Sequence, residues 1–428
     1  MSHRIGDTRL SLPGLLKVGP HSEEGARVTT FELFFDLVFV FSFTQVSALM
    51  ATAHVAGYGA LGVVQGVTVL SMLWGVWVSF GWLANQTRAD RGLVRVGFIA
   101  AAVTVFTLAL VIPSSFPVLG EAKGSAFVLV ACYVVARLIH ATVYVKAAGD
   151  DIALRRQVLI TACTSLPPAG ALLFFGAAVG APWQTALWLL AFAVDAVIVY
   201  ITSAHGEWRV HSASHWTERY GLIIMLGLGE SVVAIGVGAA QSEFSVPLVA
   251  GATLAVGLAF ALWWAYFERM EPAAEPIMAR AKGQERARLA TDAFTYLHLV
   301  LLAGIILTAL GIEVAIRHVT EFEHGFGWFG AIALAGGLAL YFAGTGFYWR
   351  RMAGWWPWTR MGSGVLLLAS IPILASLSAL VSLTVITALV AVLLFVEELL
   401  DRWWRARAGG AMMSTRGTES VSETPPTH

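Results

Sequence analysis

This 428-residue chain contains few charged residues. Asp, Glu, Lys and Arg make up only 13% of it, against about 25% in soluble domains. Hydrophobic residues make up 57%, and the mean hydropathy is +0.74. So few charged side chains cannot cover a soluble globule of this size, whereas a chain whose exterior touches lipid needs few. The composition therefore predicts an integral membrane protein with the lipid bilayer as its partner.

Cysteine and net charge are scarce as well. Two cysteines cannot build the disulfide framework of a small secreted protein. The 27 basic and 27 acidic residues cancel, so the composition gives no reason to expect a nucleic-acid partner. The sequence also lacks a phosphate-binding glycine loop, a strand-elbow nucleophile and a kinase motif. We therefore expect no cofactor.

Long apolar runs are what the sequence has in abundance. A helix needs about 20 apolar residues to cross the hydrocarbon core of a bilayer. Polar residues or Gly and Pro clusters divide the chain into twelve such runs. The runs are 31–55, 61–84, 95–113, 125–145, 156–178, 182–203, 218–240, 246–267, 292–313, 327–348, 361–378 and 380–400. They predict an all-α, polytopic transmembrane bundle of about twelve spans, with residues 361–400 forming one span or two.

The basic residues predict the orientation, because Lys and Arg accumulate in cytoplasmic loops. With twelve spans and a cytoplasmic N terminus, nearly all of them fall in cytoplasmic segments; Lys123 and Arg317 fall outside, and Arg137 lies within a span. We therefore expect a multi-pass protein of the cell membrane with both termini cytoplasmic. The predicted regions are a cytoplasmic segment 1–30, a six-helix half 31–203, a cytoplasmic linker 204–217, a second six-helix half 218–400 and a cytoplasmic, mostly disordered tail 401–428.

A weak internal repeat accompanies this pattern. A shift of 186 residues places Glu32 on Glu218, and Thr44 and Gln45 on Glu230 and Ser231. Because six spans separate the two copies, both would enter the membrane from the same side. The alignment indicates a parallel 6+6 arrangement, with its axis along the membrane normal.

Ionisable side chains within the spans are the first candidates for a functional site. Such a group at the bilayer centre costs about 2.5–3.5 kcal/mol even on lenient insertion scales. With the polar neighbours that the repeat highlights, the candidate proton or substrate site comprises Glu230, Asp36, Arg137, Asp195, His140, Gln45, Ser231, His298, Glu32 and Glu218.

Glu230 is the deepest of the acids. It lies about 18 Å along its helix from Glu218, near the middle of a core about 30 Å thick. Gly227 and Gly229 remove side chains beside it, which lets a helix, water or a substrate approach. These features favour a proton carrier. The alternative is an ion pair with Arg137 that only fixes two helices.

Glu32 and Asp36 are four residues apart and therefore share one face of the first helix. Acids in a first turn also serve as helix caps, and this structural role is the interpretation we prefer for Glu32. Asp36 is deeper, which favours a buried pairing or a role in the site. A lone histidine such as His298 is either a proton relay or, more commonly, a hydrogen-bonded contact between helices.

Arg137 and His140 share a face of the fourth span, because three residues separate them. Arginine keeps its proton, so Arg137 must meet a buried acid or a water-filled cavity. Asp195 and Glu230 are the two available counter-charges.

Three histidines precede the seventh span: His205, His211 and His215. The last two have the spacing of two zinc ligands on a helix. The segment contains no cysteine and has the composition of a loop, so we predict no metal site and keep zinc as the alternative.

Three segments resemble hallmark segments of the bacterial low temperature requirement protein A (LtrA) family. They are TTFELFFDLVFVFSFTQVS at 29–47, ERYGLIIMLGLGESVVAIG at 218–236 and YLHLVLLAGIILTALG at 296–311. The resemblance implies a polytopic inner-membrane protein without a defined biochemical activity. The motif residues that it carries over are Glu32, Asp36, Gln45, Glu218, Arg219, Gly229, Glu230, Ser231, His298 and Gly304.

Our preferred hypothesis is a proton-coupled secondary transporter or related permeation protein whose buried acids carry protons, with an ion or small molecule as its substrate. Two alternatives stay open. One is a membrane-embedded enzyme in which Asp36 or Glu230 acts as a general acid on a lipid-like or isoprenoid substrate. The other is a structural or receptor-like protein with a locked ion-pair network.

Overall fold

The computed structural model describes residues 24–116, 123–204, 206, 208–240 and 242–419. Within these residues, twelve helices are long and apolar enough to cross a membrane. In chain order, α1 to α12 are Thr30–Val55, Gly59–Gln86, Gly92–Val111, Lys123–Ala147, Ile152–Val179, Trp183–Ala204, Ala213–Ala239, Val246–Phe267, Gly283–Arg317, Gly327–Ala353, Trp358–Ser376 and Ala379–Glu419. The predicted all-α bundle of about twelve spans is confirmed. We call the side on which α1 and the other odd-numbered helices begin the first face, and the opposite side the second face.

The ends of three predicted regions differ from the helices. The stretch 361–400 contains two spans, because Leu377 is extended and its carbonyl accepts a hydrogen bond from the Phe326 N–H. The last part of the predicted linker 204–217 is helical, since the Ser212 hydroxyl caps α7 by accepting from the His215 N–H. The tail 401–428 was predicted to be mostly disordered; α12 continues into it as far as Glu419, and residues 420–428 lie outside the described part of the chain.

Helices pack in the same pattern in both halves. In the first half, α1 contacts α2 and α3, α3 contacts α4, α5 contacts α4 and α6, and α2 contacts α6. In the second half, α7 contacts α8 and α9, α9 contacts α10, α11 contacts α10 and α12, and α8 contacts α12. A 6+6 repeat predicts this matching pattern of helix contacts.

Contacts between equivalent positions locate the axis that relates the halves. The Thr44 hydroxyl bonds with Glu230, and the Ser212 hydroxyl bonds with the Ala26 carbonyl; both pairs are 186 residues apart. In a two-fold arrangement, equivalent residues can touch only near the axis. The predicted repeat would therefore have its axis along the α1–α7 contact, running from one face towards the other.

Two local departures from regular spans matter for the sites below. A linker helix, Met270–Arg280, follows α8 and buries Met270, Ala274 and Met278, with α7, α8 and α10 as its neighbours. The first turns of α9 contain a π-helical segment, Ala290–Tyr296. Such segments shift the register of a helix and are frequent at functional sites.

Candidate functional site: buried acids between the two halves

Glu230 lies on α7, at its contact with α1, and is almost completely buried. Thr44 on α1 donates a hydrogen bond from Oγ1 to Glu230 Oε2 over 2.7 Å. Within the described part of the chain, Glu230 forms no salt bridge: Arg137 pairs with Asp195, and Arg317 pairs with Glu313. The carboxyl at the axis between the halves is therefore neutralised by no neighbouring cation.

The two glycines beside Glu230 have different roles. A Cβ at Gly227 would lie 2.6 Å from Leu302 Cδ1, so this glycine allows the close approach of α9. A Cβ at Gly229 would meet nothing within 4 Å. Only Gly227 is thus required by packing, and Gly229 leaves open space.

A cavity of about 580 Å³ connects Glu230 with the second face. We call it the Glu230 cavity. From the buried end it passes Thr44 and Ser47, and it reaches His318, an exposed residue just after the end of α9. The Arg317 guanidinium and the Glu313 carboxylate, joined at 2.7 Å, form part of its wall. The cavity connects the carboxyl with the end of the bundle at the second face.

Glu32 and Asp36 on α1 have a different environment, because both bind Arg219 on α7. Arg219 Nη1 donates to Glu32 Oε2 over 2.9 Å, and Nη2 donates to Asp36 Oδ1 over 3.0 Å. His215 Nε2 lies 2.9 Å from Glu32 Oε2, and Trp77 Nε1 donates to Asp36 Oδ1 over 2.8 Å. All five side chains are buried. This Arg219 network is an ion-paired connection between the two halves.

The cap role predicted for Glu32 is also present. Thr29 and Glu32 form a capping box at the start of α1, in which each side chain accepts from the backbone N–H of the other. Glu218 accepts a hydrogen bond from the Val28 N–H over 3.0 Å, at the same end of the bundle. Glu218 thereby fixes the chain that leads into α1.

Arg137 forms its ion pair with Asp195 and not with Glu230. Arg137 Nη1 and Nη2 donate to the two Asp195 oxygens over 2.8 Å and 3.2 Å, and Tyr133 joins the pair through its hydroxyl. The hypothesis that Arg137 is the counter-charge of Glu230 is therefore wrong. The cause is geometric, since α4 and α6 both pack against α2 and α5 within the first half, whereas Glu230 lies at the contact of α7 with α1.

The Arg137–Asp195 pair lines a second cavity, of about 120 Å³, which we call the aromatic cavity. Most of its wall is apolar, and the aromatic residues are Trp74, Trp82, Phe192, Trp208 and Tyr296. His140 also lines it, which brings three of the predicted site residues together. The lining residues Ser203 and Thr291 lie at the end of α6 and near the start of α9, so this cavity lies towards the first face.

A groove on the surface adjoins the aromatic cavity. Ala196 on α6 and Tyr296 on α9 line both, and the Tyr296 hydroxyl donates to the Ala196 carbonyl over 2.8 Å. The groove continues past Arg350 and Trp356, whose side chains form a cation–π contact. The Tyr296–Ala196 hydrogen bond thus crosses the boundary between the buried space and the surface.

His298 is held by aromatic rings and two hydrogen bonds. Its Nε2 lies 2.8 Å from the Tyr266 hydroxyl, and its Nδ1 lies 3.0 Å from the Ala293 carbonyl. Its ring stacks on Phe294, and the ring of Tyr220 meets it edge-on. This geometry is that of a hydrogen-bonded contact between helices, the commoner of the two predicted roles.

The remaining candidates have several different positions. Ser231 is buried beside Glu230, and Gln45 is partly exposed on α1. His211 contacts Gln86, whereas His215 belongs to the Arg219 network; His205 lies outside the described residues.

Three arginines that were assigned to cytoplasmic segments are bound to acids on other helices: Arg219 and Arg360, which are buried, and Arg269, which is largely buried. Arg219 binds Glu32 and Asp36, and both Arg269 and Arg360 bond with Glu397 on α12. The signal that could have found Arg219 is its place in the second motif, beside apolar residues. A count of basic residues by segment does not distinguish such a position from a loop.

Comparison with known proteins identifies the family. The sequence pattern of the family described as Bacterial low temperature requirement A protein (LtrA) matches residues 27–395. The chain belongs to the LtrA family. A similar protein is the uncharacterized protein RA0937 of Rhizobium meliloti (strain 1021), which is 27% identical over 355 residues, or 80% of this chain and 82% of that protein. No solved structure matches the chain.

The three segments that predicted the LtrA family meet at one place in the bundle. They lie on α1, α7 and α9, which pack against one another. The first two contribute Thr44, Glu230 and the acids bound by Arg219. The third contributes Gly304, where a Cβ would lie 2.7 Å from the Tyr341 backbone nitrogen of α10. The motif residues on α1 and α7 therefore build the contact between the halves of this LtrA protein, and Gly304 allows the close packing of α9 on α10 within the second half.

Proposed function

We propose that the protein is a proton-coupled secondary transporter in which Glu230 binds and releases the proton. The observation that carries the proposal is the position of Glu230: a buried carboxyl on the axis between two six-helix halves, in a cavity that leads to one face. Transporters built from repeats place their ion and substrate sites at such an interface.

The environment of Glu230 suits this role. A buried carboxylate without a cationic partner is costly, so the group favours a bound proton or another bound cation. Thr44 supplies one hydrogen bond, which can accompany either protonation state because its hydroxyl both donates and accepts. The Glu230 cavity supplies the route by which a proton arrives and leaves.

The positions of the two cavities support movement between the halves. The Glu230 cavity leads to the second face, and the aromatic cavity lies towards the first face. Between them are α1, α7 and α9, with the ring cluster around Tyr220 and His298. In alternating access, the repeats rock against each other so that a fixed site opens to each side in turn, and the two cavities mark the sides on which such openings would form.

The alternatives fit less well. A general acid acting on a lipid-like substrate needs an enclosed, lipid-accessible pocket, whereas Glu230 lines a cavity that ends at the exposed His318. Asp36 is fully buried and already bonded with Arg219 and Trp77. A locked ion-pair network does describe the Arg219 network, but it does not include Glu230.

Proton flux through reconstituted protein tests the proposal. The purified protein is placed in liposomes loaded with a pH-sensitive dye, the membrane potential is clamped, and a pH gradient is imposed with a panel of small ions and metabolites outside. We expect a gradient-driven flux that Glu230→Gln reduces at least about tenfold, equivalent to about 1.4 kcal/mol in the barrier. Glu243→Gln, which changes an exposed acid just after α7, is the matched control. A flux that Glu230→Gln leaves unchanged would rule the proposal out.

A further inference from the structure

We infer that the aromatic cavity is the substrate site, and that it binds a small single-ring aromatic molecule with no net charge and at least one hydrogen-bond acceptor. The inference names the substrate class of the proposed transporter and in that sense rests on the proposed function. Binding itself is measured without transport.

The size of the cavity limits the ligand. Its volume is about 120 Å³, and a cavity of roughly 150 Å³ in another protein binds benzene. The aromatic cavity shares the lining residues Ala196 and Tyr296 with the groove, so a small substituent on the ring would point towards the groove. One ring fits, and a fused ring system or a lipid chain does not.

The aromatic walls favour a flat ligand. Trp74, Trp82 and Trp208 line the cavity together with Phe192 and Tyr296. Aromatic rings that pack in offset or edge-on geometry gain attraction beyond the area they bury. A ring in the cavity finds such partners on α2, α6 and α9.

The charges of the wall exclude an ionic ligand. Arg137 and Asp195 are both buried, and each satisfies the other through two hydrogen bonds. The wall therefore carries no net charge. A ligand with a charge of either sign would either remain uncompensated in an apolar space or have to separate this pair.

Two residues of the lining favour a polar group on the ligand. His140 Nε2 and Trp208 Nε1 are buried, and neither has a hydrogen-bond partner among the described residues. The indole nitrogen can only donate, so its partner must be an acceptor. A buried donor without a partner is unfavourable, and a ligand carbonyl or similar group would satisfy it.

A matched series of probes tests the ligand class. Benzamide, benzoate and benzylamine share one ring and differ in charge. Their binding to the purified protein is measured by equilibrium dialysis in detergent, without any gradient. We expect saturable binding of benzamide and at least about tenfold weaker binding of the two ions, equivalent to about 1.4 kcal/mol. Equal affinity for benzamide and benzoate, or no binding of benzamide, would overturn the inference.

Two variants locate the site. Ala162 lines the cavity on α5, so Ala162→Leu fills it, whereas Ala171→Leu adds the same bulk to an exposed position of the same helix. We expect benzamide binding to fall at least about tenfold in Ala162→Leu only. Trp208→Phe keeps a ring and removes the donor, so it should weaken benzamide binding by a smaller factor. Equal binding in Ala162→Leu and the unchanged protein would place the ligand elsewhere and contradict the inference.

The two proposals fail in different ways. If benzamide binds but no Glu230-dependent proton flux is found, the ligand site is supported and the transport proposal is ruled out. If proton flux depends on Glu230 but no ring compound binds, transport is supported and the inferred substrate class is ruled out.

Discussion

The acids of α1 and the acid of α7 are buried to a similar degree but have different surroundings. Glu32 and Asp36 share Arg219, and His215 and Trp77 complete their contacts. Glu230 has the Thr44 hydroxyl and a cavity. Burial alone therefore does not mark a functional acid. The acid that lacks a cationic partner and faces open space is the one free to exchange a proton.

The comparison predicts the largest loss of stability at Arg219. Arg219→Gln removes the cation shared by two buried carboxylates, and breaking a buried pair by removing one partner costs about 3–5 kcal/mol. The midpoint of thermal unfolding in detergent measures the loss. Arg402→Gln is the control, since Arg402 is 73% exposed and its only ion pair within the described residues is with Glu398, four residues away. A midpoint shift no larger than that of the control would show that the Arg219 network does not hold the halves together.

A smaller loss is expected from separating Arg137 and Asp195, which connect helices within one half only. Arg137→Gln and Asp195→Asn should each cost about 3 kcal/mol, because each leaves its partner charged and buried. The double variant should cost clearly less than both single losses together, since it removes both charges. The unfolding free energies of the unchanged protein, the two single variants and the double variant, measured under the same conditions, give a double-mutant cycle. Additive losses would contradict direct pairing.

Glu230→Gln should change stability by less than about 1 kcal/mol, because the amide can keep the hydrogen bond with Thr44 and no ion pair is lost. The same thermal unfolding assay measures this. A loss as large as that of Arg219→Gln would mean that Glu230 is structural, and the contrast between the two groups of acids would disappear.

The smallest effect is expected at Glu24, at the first face. Burial raises the pKa of Glu24, but the hydrogen bond and charge of Arg286 outweigh it and hold the pKa below its ordinary value of 4.5. A depressed pKa stabilises the fold above the unfolded-state pKa, and this contribution is lost as the pH falls through the folded-state pKa. Glu24→Gln should therefore lower the unfolding midpoint slightly at about pH 7 and by less at about pH 3. An equal shift at both pH values would exclude a contribution from the charge.

The spans and the buried acids were accessible from the sequence, because apolar run length and intramembrane charge act locally. The ion-pair partners of the buried charged residues could not be predicted from the sequence. Arg137 had two candidate acids, and only the packing of α4 and α6 on their shared neighbours α2 and α5 decides for Asp195. Arg219 lay at the edge of the predicted span 218–240, whereas α7 begins at Ala213 and places Arg219 well inside the helix. The cavities depend on the spacing between helices, which no single helix encodes.

The repeat is an intermediate case. A shift of 186 residues aligned Thr44 with Glu230 in the sequence, yet nothing in the alignment required these two side chains to touch. Their 2.7 Å hydrogen bond follows from the axis passing between α1 and α7. The sequence thus indicated the symmetry, and the structure shows which residues lie on it.

Reaction with dicyclohexylcarbodiimide tests the central claim most directly, because this apolar reagent modifies protonated carboxyl groups in apolar surroundings. The protein is treated over a range of pH, and the modified residues are identified by peptide mass spectrometry. We expect modification of Glu230, increasing as the pH falls, and none of Glu32 or Asp36, which are held by Arg219. Modification of Asp36 or Glu32 in preference to Glu230, or none of Glu230 at any pH, would contradict the account.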